Sequence, residues 1–328
     1  MRNVIIAHLA LFCVNMIYGA NYILAKDVMP NYLGPNAFIF MRVAGASLLF
    51  WIILMFQKRE KIAKKDWLTI AACGLFGIAM NQLFFFNGLS LTSGINASII
   101  MTSTPIIVAV LAFFIRKEAL SKMKISGIII GAIGAISLTL AGSNPAVDSA
   151  LGDLFIFINA ASYSIYLILA KSLMEKYKPL TVLTYVMTFG LILITLFPLT
   201  VPELLATDFA SFTGPIIGKI IFVIVGVTFV AYLFNIFALQ HVSPTVSGSY
   251  IYLQPILAIF FAFFFFYIGI SDDDSGSVSL EKVLYMLLVF AGVFITSRST
   301  YLENKKRKAL AHNNAKVEPT INAVDQQN

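Results

Sequence analysis

This chain carries little charge. Asp, Glu, Lys and Arg make up 12% of its 328 residues, and three more are histidine. A soluble domain carries about a quarter charged residues, so an ordinary aqueous fold is excluded. Cysteine is scarcer still. Cys13 and Cys73 both sit inside apolar runs, which excludes a disulfide framework and leaves them as small packing residues. No HExxH or GxSxG pattern occurs, and the histidines are far apart, so no catalytic site, metal or cofactor is expected and the chain is not read as an enzyme. No nucleic-acid partner is expected either. No Asp or Glu falls well inside any long apolar run. Proton relays inside a membrane run through buried carboxylates or histidines, so no carboxylate relay is expected here.

What is present is apolar sequence: 59% of residues are hydrophobic, and mean hydropathy is +0.86. Ten segments read as spans: 4–26, 35–56, 67–89, 95–115, 125–141, 151–171, 181–201, 215–239, 245–268 and 283–297. About 20 residues of helix cross a bilayer. Backbone amides in hydrocarbon must be satisfied within the segment, and runs such as AIFFAFFFFYIG lack the alternation of a barrel strand. The first run is longer than a signal-peptide core and has no small-x-small cleavage site, so it reads as a retained helix. Lys58, Arg59, Lys61, Lys64 and Lys65 follow the second segment, Arg116, Lys117, Lys122 and Lys124 the fourth, and Lys176 and Lys178 the sixth. Alternate loops hold Asp148, Asp153, Glu203, Asp208 and the acidic run Asp272–Asp274. The positive-inside rule then puts both termini in the cytoplasm of a multi-pass protein, of the bacterial inner (plasma) membrane type. Residues 299–328 read as a disordered basic and polar tail.

The chain also repeats itself. Residues 81–114 and 232–265 are two versions of one hairpin, with Ser93 and Pro105 answered by Ser243 and Pro255. Leu24-Ala-Lys26 is answered by Leu169-Ala-Lys171. A unit of about 145–150 residues recurs and holds five segments. Five is odd, so the second copy enters the membrane from the opposite side. Such inverted repeats are found in secondary transporters, with a binding site near the midplane. The expected fold is therefore an all-α integral membrane protein of ten transmembrane helices in two inverted five-helix repeats, residues 1–143 and 150–298.

Particular stretches carry a family likeness: GANYILAK, MRVAGASLLF with Arg42, GLSLTSGINASIIMTSTP, a short loop with Glu118, and GIIIGAIGAISL. In the second half GDLFIFINAASYSIYLILAK and ALQHVSPTVSGSYIYLQPILA continue it. With these the chain resembles the EamA-type permeases of the drug/metabolite transporter superfamily over about residues 5–298. It departs from the family's glycine-glutamate after the ninth segment, where it has YIGISDDDSGSVS. The resemblance implies a permease that moves a small organic metabolite, an amino acid or an amphipathic drug-like compound, by efflux or exchange and by alternating access. A receptor or scaffold is the alternative, but its folded extramembrane region is missing from the sequence.

A path through such a bundle needs polar or aromatic side chains on interior faces. Helical spacing collects Asn15, Tyr18 and Tyr22 on the first segment, and Asn81 and Phe85 on the third. Thr102 stands on the fourth, Asn159, Tyr163 and Tyr166 on the sixth, Tyr232 on the eighth, and Tyr250 and Gln254 on the ninth. Ser, Thr and Asn also serve helix packing, so each position has that second reading. Arg42 either snorkels outward or faces the cavity to bind a carboxylate or phosphate. Lys26 and Lys171 read as interfacial anchors. Pro105 and Pro255 read as helix kinks that shape the cavity. Gly127 and Gly131 form GxxxG, a tight-packing element or the face of a homodimer. The partners expected are a small-molecule substrate and the lipid bilayer.

Overall fold

A computed structural model describes residues 2–29, 31–58, 60–92, 94–117, 120–140, 149–270 and most of 284–302. Glu118, Ser93, the acidic run Asp272–Asp274 and the tail beyond 302 lie outside the described residues. Among the described residues there are helices and turns but no strands. The helices are α1 (Arg2–Val28), α2 (Pro35–Met55), α3 (67–91), α4 (94–116), α5 (Lys122–Leu140), α6 (Ala150–Met174), α7 (Pro179–Thr195), α8 (Thr200–Ala206), α9 (Gly214–His241), α10 (Pro244–Tyr267) and α11 (Leu287–Thr296).

Six helices are long and apolar enough to cross a bilayer: α1, α2, α3 with its leading turn, α6, α9 and α10. The pair α7–α8, bent by 78°, makes a seventh, while Met101–Ile115 and Leu287–Thr296 are apolar but shorter. The expected seventh span to Val201 is too long. Its helix ends at Thr195, and the chain turns sharply into α8. Pro198 is the reason, because it offers no amide and disfavours helical geometry in the residue before it.

Polarity is turned inside out. Leu48 is 62% exposed and Ile5 60%, whereas Asn159 is 1% exposed and Gln254 3%. Apolar side chains coat the outside because hydrocarbon is the solvent there, and amide side chains sit inside, where they find partners.

Two helices depart from regular geometry in the same way. α3 opens into wide π turns at Leu75–Ala79, and α9 does so at Phe222–Val230. In α4 a tight turn, Met101–Ser103, precedes Pro105; in α10 Tyr250–Leu253 precedes Pro255. Each proline clashes with the carbonyl four residues earlier, Met101 or Ile251, and the tightened turn falls where that clash would be. The prolines thus stand in the first turn of the following helical piece.

α1 packs on α9 and α10; α6 packs on α3 and α4; α2 lies against α7 and α9, and α3 against α7. Exchanging α1 with α6, α2 with α7, α3 with α9 and α4 with α10 maps these contacts onto one another. The start of α1 packs through Ala7 and Leu11 on Val242 and Val246, and Lys171, near the end of α6, donates to the Leu239 carbonyl close by. α1 therefore begins at the end of the bundle where α6 finishes. Lys26 makes the equivalent bond at the other end, to the Thr92 carbonyl at 3.0 Å. Both lysines meet the C-terminal carbonyls of a neighbouring helix, where positive charge is favoured.

Charge separates with these ends. The connection 56–66 meets 175–178 through Lys176 to Asp66 (2.8 Å), Tyr177 Oη to Asp66 (2.7 Å) and the Ala63 amide to Tyr177 Oη. The opposite end holds Asp27 paired with Lys219 at 2.6 Å, and Glu203 bonded to the start of α2. Gly127 and Gly131 are occupied within the chain. A Cβ on Gly292 of α11 would lie 2.4 Å from the Gly131 nitrogen and 2.7 Å from the Gly127 oxygen, so this GxxxG serves α5–α11 packing.

Candidate functional site

Where α1, α2, α3, α4, α6, α9 and α10 converge, the structure holds a cavity of about 60 Å³. That is room for a few waters. Its walls are rings with polar tips. Tyr18 and Tyr22 come from α1, Asn81 and Phe85 from α3, Asn159 and Tyr163 from α6. Tyr232 and Gln254 reach in from α9 and α10, and Arg42 from α2. The helical stripes explain the convergence: each helix presents its polar–aromatic face inward because the opposite face meets lipid.

A hydrogen-bond network fixes these walls. Tyr22 Oη donates to Gln254 Oε1 at 2.8 Å, and Gln254 Nε2 donates to Asn15 Oδ1 at 3.0 Å. This joins α1 to α10. Across the cavity, Gln82 Nε2 donates to Asn81 Oδ1 (3.0 Å) and to Tyr232 Oη. Asn159 Nδ2 reaches the Asn81 carbonyl at 2.6 Å. Asn235 Nδ2 donates to Tyr163 Oη, while its Oδ1 accepts from Ser247 at 3.0 Å. The side-chain oxygens of Asn21, Gln82 and Asn159 are buried with no partner among the described residues. Buried orphan acceptors are rare in settled cores, where each costs ~1–3 kcal/mol, and three of them gather around this cavity.

Arg42 is 2% exposed and does not snorkel. Nε donates to Thr228 Oγ1 at 2.9 Å, and Cζ lies 4.4 Å from the centroid of the Phe86 ring. Thr228 in turn donates to the Val223 carbonyl at 2.8 Å, five residues back. The π turns of α9 leave that carbonyl available.

Nine of the thirteen residues expected along a path meet in this cavity; Asn15, Thr102, Tyr166 and Tyr250 do not. Asn15 stands one bond behind the wall, held by Gln254. Thr102 is buried in the tight turn beside the cavity-lining Met101. The Tyr166 ring packs on Gly77, where a Cβ would lie 2.2 Å from it, so this tyrosine fills a helix crossing. Tyr250 pairs with His8 Nδ1 at 2.7 Å, outside the cavity wall. Helical spacing places residues on a face, but it cannot say how far along the axis the cavity extends. The sequence reading missed Asn21, Gln82, Phe86, Met101, Val227 and Ile251. Asn21 had a signal, since it lies three residues after Tyr18 and beside Tyr22. Val227 and Ile251 had none, being apolar residues among many.

Comparison with known proteins agrees with this architecture. The family model described as "EamA-like transporter family" matches residues 5–140 and 150–298. An "Uncharacterized transporter" of Archaeoglobus fulgidus is 28% identical over 232 residues, covering 70% of this chain and 79% of that protein. "Uncharacterized transporter YyaM" of Bacillus subtilis is 30% identical over 187 residues, covering 55% of this chain and 61% of that one. A protein of known crystal structure superposes with a TM-score of 0.68 at 14% identity, covering 90% of this chain and 97% of its own, which is a likeness of fold. With the family model matching both halves, and a polar cavity enclosed by helices from each, this multi-pass membrane protein belongs to the EamA-like transporter family of the drug/metabolite transporter superfamily.

Proposed function

We propose that the protein is a secondary transporter that moves a small organic metabolite through the central cavity by alternating access, in efflux or exchange. The observation that carries this reading is the cavity itself: it is polar and aromatic, and its walls come from both halves of the chain. A site shared between two halves opens to one side or the other as the halves rock. The paired π turns, the paired prolines and the exchangeable contacts favour two five-helix units, 1–143 and 150–298, inserted in opposite senses. In that arrangement α1–α5 are the five spans of the first unit, and α6, α7, α9, α10 and α11 those of the second. The tight turns before Pro105 and Pro255 are where the halves flex. The basic end faces the cytoplasm of a plasma membrane, with both termini and the tail on that side.

Purified protein reconstituted into liposomes and screened with labelled metabolites tests the function. Saturable flux of at least one solute is expected; folded protein that moves none counts against the reading. Cysteine labelling from either side tests the arrangement, because termini on opposite faces would end it.

A further inference from the structure

Resting on the reading of this cavity as the transport site, we infer that the solute is a small organic anion whose charged head pairs with Arg42. A guanidinium is always protonated, and here it is 2% exposed. Its partners among the described residues are neutral: the Thr228 hydroxyl on Nε and the face of Phe86. Among the described residues no carboxylate forms an ion pair with it, and no acidic side chain lines the cavity. A buried cation with one neutral acceptor is under-compensated, because its desolvation is not offset by an opposite charge.

The geometry says which part of the guanidinium is on offer. Thr228 commits its own proton to the Val223 carbonyl, so its oxygen is left to accept from Arg42 and pins the Nε edge. Phe86 covers one face. The two terminal nitrogens make no hydrogen bond to described residues, and they carry parallel N–H donors spaced for two oxygens of one anionic head. Carboxylate, sulfonate and phosphate monoester share that acceptor geometry. An ammonium finds ring faces and the unpartnered oxygens of Asn21, Gln82 and Asn159, but it also meets the Arg42 charge with no carboxylate to offset it, so a cationic solute is repelled. Tyr18, whose hydroxyl makes no hydrogen bond to the described residues, and Phe85 give the organic part of the solute apolar surface with a polar tip.

Exchange follows from the same chemistry. Closing the site around a bare guanidinium is costly, whereas closing it around an ion pair is less so. Anion on the far side should therefore speed the return of the carrier.

A matched series of solutes tests this on the intact protein in detergent, read as thermal stabilisation: butanoate, butanamide, butylammonium and 2-aminobutanoate, with ethyl phosphate and ethanesulfonate as alternative heads. Flux is followed in liposomes with ethanesulfonate, which does not leak through lipid as a neutral acid. Anions are expected to stabilise at concentrations lower by about tenfold or more than butanamide, with butylammonium weakest. The tightest head group identifies the anion class. Arg42→Gln should erase the difference between butanoate and butanamide, and Arg42→Lys should keep part of it. Should Arg42→Gln fail to fold, Thr228→Val gives the same reading: the anion preference weakens while butanamide binding stays. The inference is overturned if butanamide or butylammonium matches the anions, if the preference survives Arg42→Gln, or if no anion in the series stabilises the protein. Anion binding without flux would instead sink the transport reading and leave the anion site standing. Saturable flux of uncharged or cationic solutes, with no anion preference, would do the reverse.

Discussion

Replacing Glu203 by alanine should loosen a helix it is not part of. α2 begins at Pro35 after Gly34, so its first residue has no amide and its cap residue has no side chain to offer. The first free donors are the amides of Asn36 and Ala37, and both point to Glu203 Oε2, at 2.8 and 3.2 Å. The Asn36 side chain donates to Oε1 of the same carboxylate. Gly34 makes room for this: a Cβ there would lie 2.3 Å from Oε2. Loss of an N-terminal cap costs ~0.5–2 kcal/mol. Loss of the negative charge at the helix start adds ~0.3–1 kcal/mol. Glu203→Ala should thus destabilise by about 1–3 kcal/mol. Glu203→Gln keeps an acceptor oxygen but not the charge, and should lose about half as much. Equilibrium unfolding by SDS titration in mixed micelles measures both. If Glu203→Ala unfolds at the wild-type midpoint, or if the glutamine variant is as damaged as the alanine one, the carboxylate is not the cap described here.

Two further substitutions probe the packing and the basic end. Gly292→Ala would put a methyl group 2.5 Å from the Gly131 Cα, a backbone atom that cannot swing aside, so α11 must move off α5 at a cost of about 1–3 kcal/mol. The same unfolding titration reads this, and an unchanged midpoint would remove α11 from the GxxxG surface. At the basic end the Asp66 carboxylate holds the Lys176 ammonium above the ordinary lysine range through their hydrogen bond. A raised pKa in the folded state means the pairing stabilises fully below the ordinary lysine pKa and fades as pH rises through the raised one. Wild type should therefore lose stability in alkali faster than Lys176→Met in a pH series of unfolding midpoints; parallel curves would show that the pairing contributes nothing.

Much of this protein follows from sequence alone, for a reason rooted in the bilayer. Hydrocarbon tolerates few charges and no unsatisfied backbone, so spans, their helical state and the sorting of charge between loops are written in local composition. The end of α7 is not legible in composition, because apolar residues continue past Thr195 while Pro198 turns the chain. Periodicity placed Tyr18, Asn159, Tyr163 and Gln254 on interior faces, and they line the cavity. It placed Tyr166 on such a face equally well, yet a close crossing at Gly77 claims that ring. What Arg42 faces was decided only in three dimensions, by Thr228, 186 residues away, and by a π turn that no propensity announces. The same holds for Glu203, whose partners lie in the other half of the chain. Solvent acts on each residue through its own side chain, so exposure to lipid is a local property. A partner across the bundle depends on how helices cross, and that is a property of the whole chain.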